Sequence, residues 1–402
     1  MMSEELLERC CGLDVHSRTV VACRIVPEGQ EVRTFGTTTR ELLALGDWLE
    51  EGGCKQVAME STGSYWKPVY NLLEGRFTLV VVNSRYLKIL PGRKSDVRDA
   101  EWIAWLLQRG MLKGSAIPSR EERELRELSR YRTSLVRERA SEVNRIQKVL
   151  EGANLKLGQV ATNVVGASGR DILRALVNGS DDPRLLAGLA RGRMKEKADA
   201  LAEALTGAVG AHQRFILARQ IRHIDELDAL VHEVEEELAL RLRPFAEVIE
   251  RLTSIPGVGV RTAHTLLAEV GTDLRHFPTA KHLASWAGLC PGQEESAGKN
   301  RSSRTRQGSP WLRSALVQSA HSCARSRNAM GERYRRLSGT RGKRKAAVAT
   351  AHQILVLAFA VIKEGAVYDD ARARSHPQTD LAETYIRKLT NLGYRVSIQP
   401  AA

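Results

Sequence analysis

Four carboxylates in the first hundred residues have the types and spacing that phosphodiester chemistry needs. Asp14 follows an apolar run, Cys10 to Leu13, and Glu60 follows another, Val57 to Met59. Asp96 and Asp99 stand three residues apart in KSDVRDAEW, a spacing that puts both on one face of a helix. Like charges so placed repel, so an isolated helix gains nothing from them and a cation would remove the penalty. Acids at strand ends that converge with acids on a helix suit Mg²⁺, which takes a few carboxylates plus water and phosphate oxygens. Two such ions about 4 Å apart can activate an attacking oxygen and steady a leaving one. Each acid alone also has an ordinary explanation: a helix cap for Asp96, a surface charge for Asp99, a turn for Asp14. Their joint placement on a basic chain favours chemistry.

The elements that must position these acids alternate between strand and helix. Cys10 to Leu13 and Thr19 to Val26 read as a strand and a returning strand across a turn at Asp14 to Arg18. Val57 to Met59 and Phe77 to Val82 read as short buried strands, with a helix over Tyr65 to Leu73 between them. That is an α/β layer.

Ser119 to Leu150 is highly charged, with Leu125, Leu128, Leu135, Val143, Ile146 and Leu150 mostly three, four or seven residues apart. Arg214 to Arg243 repeats the style through Leu227, Val231, Val234 and Leu238. Two long helices follow, paired either as a hairpin within one chain or as a coiled-coil seam between two. Gly152 to Gly210, rich in Gly and Ala without a regular period, reads as helical and connecting. After Pro244, LTSIPGVGVRTAHTLLAE has the form of a helix-hairpin-helix: a helix, a turn at Gly257 and Gly259, and a second helix from near Val260. Glycines in such a turn let the backbone approach a phosphate at the start of the second helix. A plain helical turn fits the same residues.

The chain of 402 residues carries a formal net charge of +14, which favours polyanions as partners. Ser296 to Lys345 holds fourteen Lys or Arg and one acid, Glu332. An ordinary solvated face would mix signs. Trp311 and Tyr334 lie in this stretch, suited to core packing or to stacking on bases. The longest apolar run, Ile354 to Ile362, is about half of what a membrane span needs. The first residues are acidic, without a basic segment followed by an apolar one, so a cytoplasmic protein is expected and no membrane partner. Six cysteines without a CxxC pair read as reduced thiols, and ten scattered histidines give no zinc motif.

Five segments together resemble a known family. GLDVHSRTVVACRI, AMESTGSYWKPVYNLLE and VVNSRYLKILPGRKSDVRDAEWIAWLL are similar to the RuvC-like DEDD domain of the IS110 family of insertion-sequence transposases. LTSIPGVGVRTAHTLLAEVG and FPTAKHLASWAGLCPGQEESAGKNRSSRTRQGSPWLRSAL resemble the C-terminal transposase domain of that family. The resemblance covers about the first 115 residues and Leu252 to roughly Gly365. It implies an RNase H-like α/β domain over residues 1–117 and a mainly α transposase domain over 246–366, with the helical coiled-coil region over 118–245 between them; the polar tail over 367–402 reads as peripheral. It implies that Asp14, Glu60, Asp96 and Asp99 hold Mg²⁺, in two ions, and that Ser296, in PGQEESAGK, is a nucleophile forming a phosphoserine link to DNA. Ala297 stands where many relatives have glycine. It further implies donor and target DNA, a noncoding guide RNA from the element, and a dimer or tetramer on DNA.

The local chemistry is compatible with this. A serine hydroxyl needs a base or a metal to attack, and Lys299, Arg301 and Arg304 would stabilise charge on the phosphate. Arg306 and Arg313 extend the basic surface, and Ser302 and Ser303 compete with Ser296 for the role. Two other readings use the same residues. A structure-selective RuvC-like endonuclease would attack with water and leave Ser296 idle. An actin-like ATPase would share the strand, Asp14, turn and strand, but such proteins place glycines after the acid where His16 and Arg18 stand here.

Overall fold

The computed structural model describes residues 6–61, 63–84, 87, 99–290, 295–296, 299–300, 305, 307–371, 386, 389–390, 393–394 and 396. The chain divides into two compact units, Met1–Pro118 and Ser119–Ala402.

In the first unit β1 (Cys10–Val15), β2 (Thr19–Val26), β3 (Gly29–Gly36), β4 (Gln56–Glu60) and β5 (Thr78–Val82) form one sheet in the order β3-β2-β1-β4-β5. The first three pair antiparallel, while β1, β4 and β5 run parallel. Side chains alternate along a strand, and β1 uses this to serve two layers. Cys11, Leu13 and Val15 pack with Leu42, Leu45 and Leu49 of α1 (Thr39–Glu51) and with Val69 and Leu73 of α2 (Trp66–Leu73). Cys10 faces the other way, with Ala58, Val82 and Ile103 of α3 (Asp99–Gln108). β3 was not anticipated from the sequence. It is an edge strand whose Glu31 and Arg33 pair with each other at 2.7 Å, so it lacks the apolar signal of its neighbours.

The second unit is built on two long helices, α4 (Arg120–Gly152) and α9 (Ala211–Leu242). Ser119 starts α4 with a capping box to Glu122. Ion pairs Arg241–Glu124 at 3.1 Å, Arg132–Glu235 at 2.7 Å and Arg139–Asp228 tie the helices together. Residue numbers rise on one helix as they fall on the other, so this is an antiparallel hairpin within one chain.

The two ends of the hairpin enter different cores. Ile146, Leu150, Leu217, Ile221 and Ile224 pack with Leu157, Ile172, Leu173, Leu176, Leu186 and Leu201. These come from α5 (Leu157–Val160), α6 (Ala167–Val177), α7 (Pro183–Gly188), a 3₁₀ turn (Gly192–Lys197) and α8 (Ala198–Ala204). The segment expected to be a connector is thus a packed core. Its apolar residues are spread over helices too short to show a period.

At the other end Leu125, Leu238 and Leu242 pack with α10 (Ala246–Thr253), α11 (Val260–Val270), α12 (Ala280–Trp286), α13 (Pro310–Cys323) and α15 (Lys343–Glu364). α14 (Ala329–Arg341) packs on α15 through Tyr334, Ala346 and Ala347. By length and composition α15 is apolar enough to cross a bilayer, which the short run Ile354 to Ile362 did not suggest. Nine of its residues, from Ala346 to Val361, are buried among the other helices of this core.

Candidate active site

Gly12 determines where the acids of the first unit meet. A Cβ on Gly12 would stand inside the backbone of Ala104 and against the carbonyl of Ala100, so α3 lies directly on β1. The Cys10 thiol reaches the Ala104 carbonyl at 3.8 Å, one strand repeat earlier. Moving along β1 from Cys10 to Gly12 to Asp14 therefore moves back along α3 towards its first residue, Asp99. β4 lies beside β1 with Leu13 opposite Met59, which places Asp14 and Glu60 side by side at the carboxyl ends of adjacent parallel strands, about 4.8 Å apart. Both share the face that α3 covers, as Val82 opposite Glu60 does.

The electrostatics agree with this convergence. Burial raises the Asp14 carboxyl above its ordinary value, His16 lowers it, and Asp99 and Glu60 raise it further. His16 Nε2 sits 3.0 Å from Asp14 Oδ2. The sequence reading gave His16 no part in this site, although its position two residues beyond Asp14 in a tight turn was the available signal. Asp99 also opens α3, where a carboxylate is favoured by the helix dipole. Asp96 lies outside the described residues. Among the described residues no three His, Cys, Asp or Glu side chains stand close enough to hold a metal ion as they are. The carboxylates nevertheless suit a hard divalent cation: oxygen donors from three elements, whose mutual repulsion a cation would relieve.

In the second unit Ser296 lies in a two-residue strand, β6 (Glu295–Ser296), paired antiparallel with β7 (Lys299–Asn300), with Ser296 opposite Lys299. Arg301, Ser302, Ser303, Arg304 and Arg306 lie outside the described residues, while Arg313 is half-buried on α13. The far end of this segment is firmly anchored. Gly308 approaches the backbone of Gly288 too closely for any side chain. Ser309 caps α13 by accepting from the Leu312 amide and donates to Glu269 Oε2 at 3.0 Å. Glu269 is fully buried on α11 and is gripped by Arg130 of α4 at 2.7 and 3.0 Å. Trp311 is half-buried with the Arg137 guanidinium 4.7 Å from its ring centre, and Tyr334 is buried in the core.

Gly257 and Gly259 lie between α10 and α11, in the turn expected there. Gly257 has φ +82°, and a Cβ there would meet the Ser319 carbonyl and the Cys323 sulfur of α13. Its lack of a side chain is required by packing. Gly259, the residue before α11, has open space around it.

A family model for transposases of the DEDD IS110 type matches residues 11–155, and a second, described as "Transposase IS116/IS110/IS902 family", matches residues 249–335. The two matches together take in more than half of the chain. The chain belongs to the IS110 family of transposases. A "Probable family 20 transposase" of Pseudomonas aeruginosa is 26% identical over 366 residues, 89% of this chain and 94% of the relative. The "Transposase for insertion sequence element IS1111A" of Coxiella burnetii is 24% identical over 89% of this chain and 87% of the relative. The "Insertion element IS110 uncharacterized 43.6 kDa protein" of Streptomyces coelicolor is 37% identical over 145 residues, 35% of each chain. This IS110-family transposase carries Asp14, Glu60, Asp96 and Asp99 within the first match and Ser296 within the second.

Proposed function

We propose that this transposase excises and inserts its own element by cleaving and rejoining DNA through a phosphoserine intermediate at Ser296, with Asp14, Glu60, Asp96 and Asp99 as its divalent-cation site. The observation that supports the reading is that Asp14, Glu60 and Asp99, from two adjacent strand ends and a helix start, lie on one face of a mixed sheet near enough for Asp99 and Glu60 to act on the Asp14 carboxyl. That arrangement supports an RNase H-like, RuvC-type domain, and the helix, glycine turn and helix at residues 246–270 support a helix-hairpin-helix role with Gly259 towards the nucleic acid.

Mg²⁺ held by these carboxylates would neutralise charge on the phosphate oxygens. The chain's own residues do the rest. Ser296 Oγ attacks the scissile phosphorus, a P–O bond to serine forms, and the bond to the deoxyribose oxygen breaks. The serine proton passes to a nearby base and from there to the leaving oxygen. A hydroxyl of the receiving DNA then attacks the phosphoserine, and Ser296 recovers its proton. One phosphoester replaces another in each step, so no external energy source is needed. Lys299, Arg301, Arg304, Arg306 and Arg313 would hold the DNA backbone. The same reading includes an element-encoded guide RNA and a dimer or tetramer on DNA; exposed Tyr131, Val136, Leu230 and Leu240 on the α4–α9 hairpin support assembly.

The test incubates purified protein with Mg²⁺, labelled donor and target DNA and RNA transcribed from the element's flanks. Wild type should give a denaturant-stable protein–DNA adduct and joined product, and Ser296→Ala should give neither. Cleavage and joining by Ser296→Ala would instead favour a nuclease-like site with water as nucleophile.

A further inference from the structure

The hairpin of α14 and α15 carries eight Lys or Arg against two acids. Arg333 and Arg336 lie three residues apart on α14, on one face. His352 lies on α15, close enough to Arg333 for its charge to be felt. The two helices contain only two acids, Glu332 and Glu364, and neither Arg333 nor Arg336 forms an ion pair among the described residues. Arg341, Lys343, Arg344 and Lys345 continue the charge through the junction, and the first turn of α15 has no acid. Cations in a first helical turn oppose the helix dipole, which adds to the imbalance.

Arg333 is the centre of this imbalance. It is half-buried, and its Nε is closed off from solvent with no hydrogen-bond partner. Burial disfavours its charge, and Arg336 disfavours it further. Burial and the Arg333 charge likewise hold His352 below its ordinary value. A half-buried guanidinium without a counter-charge costs stability, and such a group persists where a ligand supplies the missing partner. A phosphodiester does so: it is singly charged, and its oxygens accept from a guanidinium fork.

We propose that Arg333 and Arg336 form a binding site for a backbone phosphate of the nucleic acid on which the transposase acts. The site rests on the reading of the chain as a nucleic-acid-acting transposase and adds a contact on α14 and α15, apart from Ser296 and its neighbours. DNA and RNA share the phosphodiester, so the experiment carries both.

Binding of a duplex DNA and of a single-stranded RNA is measured by fluorescence anisotropy across a salt series, for wild type, Arg333→Gln, Arg336→Gln and, as a charge-matched control, Arg222→Gln on α9. Each lost phosphate contact lowers the slope of log affinity against log salt by roughly one. The Arg333 and Arg336 variants should show that loss on the nucleic acid the site holds, and Arg222→Gln should not. Thermal unfolding of the free proteins gives a second readout: Arg333→Gln should melt at the same temperature as wild type or higher, because an unpaired half-buried charge has been removed. Unchanged slopes on both nucleic acids, or a lowered melting temperature for Arg333→Gln with normal binding by Arg336→Gln, overturn the site. If wild type itself binds neither, the failure belongs to the underlying reading.

Discussion

The backbone of Ala104 lies on the α-carbon of Gly12, with no side chain between α3 and β1. This contact brings Asp99 towards the carboxyl ends of β1 and β4, where Asp14 and Glu60 stand.

Gly12→Ala should therefore disturb the acids without touching them. The added methyl has only backbone to displace, a form of overpacking that costs about 1 to 3 kcal/mol. Thermal unfolding should start several degrees lower, and strand joining should fall with it. An unchanged melting temperature would mean that α3 does not rest on β1 as described.

The Arg130–Glu269 pair anchors the segment that carries Ser296. Arg130→Ala leaves a fully buried carboxylate whose remaining side-chain hydrogen-bond partner among the described residues is Ser309, with the Arg126 charge nearby, and should cost about 3 kcal/mol, read as a lower urea midpoint. Arg130→Lys should recover only part of this, since an ammonium cannot make the two-pronged contact. Equal midpoints for wild type and Arg130→Ala would contradict the anchoring.

How much of this the sequence disclosed depends on what local patterns report. The alternation in β1, with Leu13 on one face and Asp14 on the other, is a local pattern, and so is an acid after each of two apolar runs. The helical period of residues 119–150 shows a stripe but not what covers it; Arg132–Glu235 and its neighbours show that the two long helices pair within the chain. Gly257 carries the same limit: a glycine announces close approach, and only the fold shows that the approaching group is α13. The core around Ile172 and Leu173 was invisible because its residues come from many short pieces. The Arg333 cluster was visible as charge but not as burial.

The buried thiols predict alkaline sensitivity. Burial, reinforced by neighbouring groups, pushes Cys10 and Cys23 up to about 12, burial pushes Cys323 up to about 11, and Cys11 and Cys54 are raised as well. An unfolded cysteine ionises near about 8.5. Above that pH the unfolded chain releases protons that the fold retains, so stability present at neutral pH is lost as pH rises towards the folded values. The urea midpoint should fall between neutral pH and about pH 10, and a thiol-alkylating reagent at neutral pH should label half-buried Cys290 well before the other five. Uniform labelling of all six would contradict the burial.

Asp14→Asn tests the central claim most directly. The substitution keeps the shape of the side chain, removes one of three converging negative charges, and should leave DNA binding intact. Strand joining should drop at least about a hundredfold, a loss of roughly 2.7 kcal/mol or more in the barrier, while the melting temperature in the absence of Mg²⁺ stays level or rises because the repulsion from Glu60 and Asp99 is relieved. Joining at the wild-type rate, or loss of joining only in step with loss of the fold, would contradict a carboxylate cation site at Asp14.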